Sequence, residues 1–363
     1  MKRFDINPDI TRAQTPPGSF YGVPEFHAAA ADRVFTTSWQ LLAEAGELDA
    51  EPGAVHPFIL LPGCLDEPLL LVREDGDERR CLSNVCTHRG MLLADKPGIR
   101  QRLRCGYHGR TFDLAGRMTG MPEFEEAFDF PGPADHLRSL DLKQWGPLTF
   151  TGLAPDQAFE TWLEPVRDRM GFLPLEAFTF DPARSRDYEV SANWALYCEN
   201  YLEGFHIPFV HPELNKALDW KSYEVELEGR TVLQIGIDSG NGAVFELPSG
   251  HPDAGKKVAA YYWWLFPNLM LNFYPWGLSA NLVEPTGPTT CRVRFLGYVW
   301  GGELLDQGAG GLLDAVEMED EAVVEAVQLG VKARLYDRGR YSPTQEKGTH
   351  HFHRLLVDAL FGE

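Results

Sequence analysis

Four residues stand out for the chemistry they could do. Cys86 and His88 lie in the run Cys86–Thr87–His88, and Cys105 and His108 lie in Cys105–Gly106–Tyr107–His108, after a spacer of 16 residues. Thiolate and imidazole together favour transition metals over hard cations. Each run offers one of each, from what must be a tight loop. Gly90 and Gly109 follow the two runs, and glycine there lets the backbone fold round a buried inorganic group with its N–H donors turned inward. Two Cys and two His could hold one structural zinc ion. Zinc fingers usually pair like ligands within each half, whereas both halves here are mixed. Mixed halves suit a two-iron cluster in which both thiolates bind one iron and both imidazoles the other.

A second constellation lies about a hundred residues downstream, in Glu203–Gly204–Phe205–His206–Ile207–Pro208–Phe209–Val210–His211–Pro212. Glu203 and His206 are three apart and share a face of any helix they occupy. His206 and His211 are five apart, which on a continuous helix would splay them by roughly 140°. Pro208 and Pro212 oppose a continuous helix, so the chain is expected to bend and let both imidazoles converge. Two His and one carboxylate on one face of Fe(II) leave positions open for O₂. The acidic run Met318–Glu319–Asp320–Glu321 could supply the carboxylate. Acidic residues near a helix start also simply favour the helix dipole, and the residues alone do not separate these readings.

The elements that must position these residues are legible in outline. Residues 1–47 carry Pro24 near a helix start and an apolar pattern over Phe26, Val34, Phe35, Trp39, Leu41 and Leu42, predicting one or two amphipathic helices. From about 54 to 155, short apolar runs alternate with Gly, Pro and Asp turns, the texture of a small all-β domain. Residues 156–182 read as helical, as does 193–206. Strands are then expected at Tyr223–Leu227, Thr231–Ile237, Ala259–Phe266, Leu269–Tyr274, Leu278–Val283 and Cys291–Val299, in an antiparallel sheet. In Tyr261 to Phe266 both faces are aromatic, which predicts a strand buried on both sides. A helix follows from about Leu312 to Val331. A last helix is expected from Ser342, with Pro343 at its first position and Gln345 completing a capping box.

The 363 residues suit two domains sharing one body. The net charge of −20 repels phosphate backbones and argues against a nucleic-acid partner. No apolar run reaches the roughly 18–20 residues of a membrane span, and no apolar stretch follows the N-terminus, so a cytoplasmic protein is expected. The six cysteines (Cys64, Cys81, Cys86, Cys105, Cys198, Cys291) are scattered and do not look like a secreted disulfide framework. No dinucleotide-binding fingerprint follows a strand.

At its two Cys/His runs the chain resembles the Rieske [2Fe–2S] domain. Over 193–211 and 318–330 it resembles the catalytic domain of Rieske non-haem iron oxygenase α subunits, the aromatic-ring-hydroxylating family. The resemblance implies an α+β chain: an N-terminal helical segment (1–47) packing on the catalytic domain, an all-β Rieske domain (48–158), and a helix-grip catalytic domain (159–363) with an antiparallel sheet and a long C-terminal helix. It implies cluster ligands Cys86, His88, Cys105 and His108, and iron ligands His206, His211 and Asp320. Glu203 matches the acidic residue that bridges the two centres across an interface in a homotrimer; most members have Asp there. Rieske proteins of bc complexes carry a disulfide at positions that here are Met91 and Tyr107, so that bridge is absent. Gly106 and Arg110 stand where the oxygenase type often has Pro and Trp.

The resemblance further implies a terminal oxygenase that takes electrons from a separate NAD(P)H-dependent reductase or ferredoxin and hydroxylates a small substrate with O₂. The stretches 266–274, 320–330 and 339–353 look most like the subgroup acting on choline, betaine and carnitine. Hydroxylation of an aromatic ring or acid is the alternative, and a pure Rieske electron carrier or a zinc-stabilised binding module the more distant ones. His350, His351 and His353 read as structural or surface residues of the last helix.

Overall fold

The structure is a computed structural model that describes residues 2–48, 50–74, 78–212, 223–238, 240, 242–305 and 313–362. The chain divides into two compact units, one formed by 1–38 with 155–363 and the other by 39–154.

The larger unit is built on a seven-stranded antiparallel sheet. Its strands are β1 (Thr179–Val190), β2 (Glu224–Glu228), β3 (Thr231–Ile237), β4 (Val258–Leu265), β5 (Leu269–Tyr274), β6 (Gly277–Gly287) and β7 (Thr290–Val299), in the spatial order β1-β7-β6-β5-β4-β3-β2. From β2 to β7 each strand pairs with the next in sequence, and β1 returns to the β7 edge. The sequence reading placed 179–182 in a helix, but these residues open β1. That strand was hard to read because its side chains are mostly polar and exposed and its register shifts between Asp181 and Arg186, so no period of two survives.

The helices of this unit are α1 (Pro24–Ala30), α2 (Phe159–Met170), α3 (Trp194–Tyr201), α4 (Ile207–Val210), α5 (Leu313–Val331) and α6 (Lys347–Phe361). Leu312, the expected start of α5, lies outside the described residues. The last helix begins at Lys347, five residues after the expected N-cap. Ser342 Oγ does accept the Gln345 N–H (3.4 Å) and Glu346 N donates to the Ser342 carbonyl (3.0 Å), but this closes a separate turn. Glu346 then leaves helical geometry at φ −109°, ψ 35°, and the helix starts after it.

Aromatic side chains join these layers. Trp264 of β4 packs edge-on against Phe352 of α6 (5.1 Å), which also meets Trp194 of α3 (5.8 Å), and Phe35 closes the stack on Trp194 (5.0 Å). The backbones of α6 and α3 approach so closely at Gly348 that a Cβ there would sit 2.5 Å from the Leu202 carbonyl oxygen. The N-terminal segment is tied to the same body, with Phe4 against Phe361 (5.3 Å) and Gln328 Nε2 donating to the Tyr21 carbonyl (3.1 Å). Both faces of β4 are buried, as its aromatic pattern predicted. No described helix is long and apolar enough to cross a membrane.

Among its described residues the smaller unit forms three antiparallel sheets with two short 3-10 turns, the largest sheet having strands at 98–99, 54–60, 67–73, 79–83 and 139–140. Its core gathers Leu70, Val72, Leu82, Leu103 and Phe112 together with Cys86 and Cys105. None of the six cysteines is in a disulfide.

Candidate active site

In the smaller unit the two Cys/His runs form matching loops. Cys86 O accepts from Gly90 N (3.0 Å) and Cys105 O accepts from Gly109 N (3.1 Å). Both glycines have positive φ, 72° and 76°, a conformation that costs other residues about 1–2 kcal/mol. The thiols are buried, 2% and 3% exposed, and their sulfurs face each other within hydrogen-bonding reach. The two imidazoles lie further out, with ring centroids 4.7 Å apart. Burial raises the Cys105 thiol, but the backbone N–H groups of Tyr107 and His108, with Cys86 and Arg110, hold it below its ordinary value. Partial desolvation, helped by His108 and Arg110, holds His88 below its own ordinary value, in the neutral form that binds metal.

In the larger unit the expected bend is present. Helix α3 stops at Tyr201, 202–206 turns, and α4 holds only Ile207–Val210 before His211 leaves helical geometry at φ −116°, ψ 78°. His206 and His211 thereby face each other, ring centroids 5.1 Å apart. Asp320 of α5 completes the group: its Oδ1 lies 3.0 Å from His211 Nε2 and 3.5 Å from His206 Nε2. Ligand atoms of these three lie within 4.8 Å of one another, and among the described residues no other set of His, Cys, Asp or Glu gathers so closely.

Each imidazole is aimed from behind. His206 Nδ1 donates to Glu203 Oε1 and His211 Nδ1 donates to Glu319 Oε2, both at 2.7 Å. Each Nε2 is thus left facing Asp320, the arrangement in which an outer carboxylate fixes a metal-binding imidazole. The other Glu203 oxygen accepts the backbone N–H groups of Phe205 and His206 (3.0 Å to the latter). The side chain therefore caps its own loop and orients the ring together. Asn200 Nδ2 donates to Asp320 Oδ1 at 2.6 Å. Burial lowers His211, but Asp320 and Glu319 outweigh it and hold this imidazole above its ordinary value, so a metal ion arriving here takes the place of a proton.

Glu319 is the residue that the sequence reading passed over. Its only signal was adjacency to Asp320 in an acidic run, and the structure alone gives it a role. Glu319→Gln is expected to weaken mononuclear iron binding roughly 10–100-fold, the scale of such outer changes. Iron retention during dialysis against a graded chelator measures this, and retention equal to the unaltered protein would remove Glu319 from the site.

A cavity of about 120 Å³ opens beside His206, His211 and Asp320. One row of sheet positions faces it: Gln234, Tyr262 and Asn272 are register partners across β3, β4 and β5. Tyr274 stands two residues along from Asn272, and Asn281 of β6 pairs with Phe295 of β7. Tyr201 and Tyr223 add two more rings. Burial holds the phenols of Tyr201, Tyr223, Tyr262 and Tyr274 above their ordinary range, so all four rings stay neutral. Glu317, only 4% exposed and hydrogen-bonded by Tyr197 OH (2.6 Å), is pushed up to about 8 by burial, with Asp320 adding to the rise. Among the described residues, no Lys or Arg lines this cavity.

The three late histidines have structural partners. His350 Nε2 donates to the Asn7 carbonyl (2.8 Å) and His351 Nε2 to the Gly229 carbonyl (3.0 Å). His353 is held between Tyr341 OH and Glu199.

Comparison with known proteins matches both halves of this description. The ring-hydroxylating alpha subunit catalytic domain covers residues 179–362, and the Rieske [2Fe–2S] domain covers 38–139. The chain belongs to the Rieske ring-hydroxylating oxygenase α-subunit family. It is 30% identical to the chloroplastic choline monooxygenase of Arabidopsis thaliana over 98% of this chain and 85% of that protein. It is 28% identical to the carnitine monooxygenase oxygenase subunit of Escherichia coli K12 over 99% and 96%. Its fold matches a solved quaternary ammonium Rieske monooxygenase with a TM-score of 0.77, at 21% identity and over 99% of both chains. This Rieske oxygenase α subunit is an oxygen-incorporating oxidoreductase, the terminal component of its system, and its cofactors are a [2Fe–2S] cluster and Fe(II).

Proposed function

We propose that this Rieske oxygenase hydroxylates a small quaternary ammonium compound of the choline, betaine or carnitine type. The lining of the cavity carries the reading: neutral tyrosine rings and acidic side chains, with no cationic side chain among the described residues. Aromatic faces attract quaternary nitrogen by about 0.5–2 kcal/mol per ring, most when desolvated. An aromatic acid offers these rings and carboxylates no cation, whereas choline, betaine and carnitine each carry a quaternary nitrogen. The choline and carnitine monooxygenases among the relatives support the same choice.

In this reading Cys86 and Cys105 hold one iron of the cluster, His88 and His108 hold the other, and His206, His211 and Asp320 hold Fe(II). The bound groups supply one-electron transfer and O₂ activation. The chain's residues do the rest. Glu203 and Glu319 keep both Nε2 atoms on the metal, Asn200 holds the carboxylate, and the tyrosines fix the cation with a neighbouring C–H toward the three ligands. Overall, one oxygen atom enters that C–H bond and the other leaves as water, consuming two electrons and two protons. The electrons come from a separate NAD(P)H-dependent reductase or ferredoxin. In a cytoplasmic homotrimer, His108 of one chain and Glu203 of its neighbour would form the path for them.

The test is EPR of the anaerobically reduced protein treated with nitric oxide, with choline, glycine betaine or carnitine compared with benzoate. The trimethylammonium compounds are expected to reshape the high-spin iron–nitrosyl signal, and benzoate to leave it unchanged. A response to benzoate alone would replace the proposal with aromatic-acid hydroxylation. A cluster signal without any nitrosyl species, in protein supplied with Fe(II), would leave an electron carrier.

A further inference from the structure

Between the cluster loops lies a buried cation that is not among the expected ligands. Arg110 is 2% exposed, among the largest fully buried side chains of the protein. A guanidinium keeps its charge, and taking a charge out of water carries a large penalty unless it is partnered. Its partners here are few. Nη1 donates to Thr87 Oγ1 (2.8 Å) and to Asp135 Oδ1 (3.1 Å), and buried Nε has no hydrogen-bond partner. The guanidinium lies 5.3 Å over the Phe130 ring and 5.5 Å over that of Phe124, which stands edge-on to His88 at 5.5 Å.

These contacts tie one residue to both loops. Thr87 sits between Cys86 and His88, and its hydroxyl donates to the Asp135 carbonyl (2.8 Å). The Arg110 carbonyl accepts from Cys105 N (2.8 Å). Arg110 thus places a buried positive charge against both ligand loops.

We infer that the buried Arg110 guanidinium, partly offset by Asp135, sets the reduction potential of the [2Fe–2S] cluster. The inference rests on Cys86, His88, Cys105 and His108 being the cluster ligands. Reduction adds one electron to the cluster, so a fixed positive charge behind both loops stabilises the reduced form and raises the potential. Net charge and hydrogen bonding are the means by which proteins tune such centres. Asp135, 23% exposed in its side chain, opposes the effect from the solvent side. The pair thus acts as a positioned dipole with its positive end inward.

The experiment is a redox titration of the cluster in the full-length holoprotein, followed by EPR and visible circular dichroism. Arg110→Gln is expected to lower the reduced-to-oxidised ratio at a given potential about tenfold, which for a one-electron couple is a fall of about 59 mV. Asp135→Asn, which keeps the side-chain shape and an acceptor for Gly132 N, is expected to shift the potential upward. Opposite signs are the signature, because loosening the loops would move both variants the same way. Two shifts of one sign, or none in either variant, would overturn the inference. Should Arg110→Gln fail to assemble the cluster, Asp135→Asn decides alone: a rise supports the inference and an unchanged or lower potential overturns it. A Cys86→Ser variant with an unaltered cluster signal would instead sink the ligand assignment, and this inference with it.

Discussion

Asp320→Ala is expected to abolish turnover while leaving the cluster spectrum intact. Asp320 Oδ1 is the point on which His206 and His211 converge, and it is itself held by Asn200. Without it two imidazoles remain, still aimed by Glu203 and Glu319 but with no anionic donor to complete the face. Loss of an outer-shell partner costs roughly 10–100-fold in metal affinity, and loss of a ligand must exceed that. The cluster loops lie in the other compact unit and share no residue with this site. Iron analysis should therefore fall to the content of the cluster alone, with the cluster absorption unchanged. An Asp320→Ala protein that kept its mononuclear iron and its activity would remove Asp320 from the ligand set.

Glu203→Gln should separate metal binding from electron delivery. Glutamine preserves the shape of the side chain and an oxygen that can still accept from His206 Nδ1, so both metal centres are expected to remain loaded. What it loses is the charge, together with the second carboxylate oxygen that caps Phe205 and His206. If Glu203 carries electrons between centres, reoxidation of the reduced cluster by O₂ with substrate present should slow by about 100-fold, the scale on which a misplaced group costs rate. Stopped-flow absorbance of the cluster measures this directly. Unchanged reoxidation and full activity would leave Glu203 as a loop cap that orients His206 and nothing more. Both carboxylate oxygens of Glu203 are engaged, one by the loop amides and the other by the ring.

The cluster loops were legible because everything they need is local: two short runs, each with its Cys, its His and its positive-φ glycine within five residues. The bend between His206 and His211 was legible for the same reason, since Pro208 acts on its own backbone. Asp320 was different. In the run from Glu317 to Glu321 four of the five residues are acidic, and only the packing of α5 sorts them. Glu317 turns inward to Tyr197, Glu319 reaches His211 and Asp320 points to the metal position. A helix rotates about 100° per residue, so neighbours in sequence end in different surroundings, and that rotation cannot be referenced to a site not yet located. The family resemblance supplied the assignment that the residues withheld. Strand β1 escaped for a complementary reason. It is a polar edge strand whose burial pattern was erased by exposure and a register shift. The late start of α6 turned on the backbone of one residue, Glu346, whose departure from helical geometry no side-chain pattern announces.

The cavity wall and the metal ligands come from different kinds of element. Ligands and their supporting carboxylates sit on α5 and on the short turn around α4, whereas Gln234, Tyr262, Asn272, Tyr274 and Asn281 project from the sheet. Along a strand every second residue points to the same face, and the residues between them face the opposite side. Gln234 and Asn272 also hydrogen-bond Tyr201 at the end of α3 and so help to hold the turn that carries His206. The rings of Tyr262 and Tyr274 can change in size or polarity without altering their strands' pairing. The molecule works as a fixed reaction head over an interchangeable mould, and one family of this architecture can keep its oxygen chemistry while trading one small substrate for another.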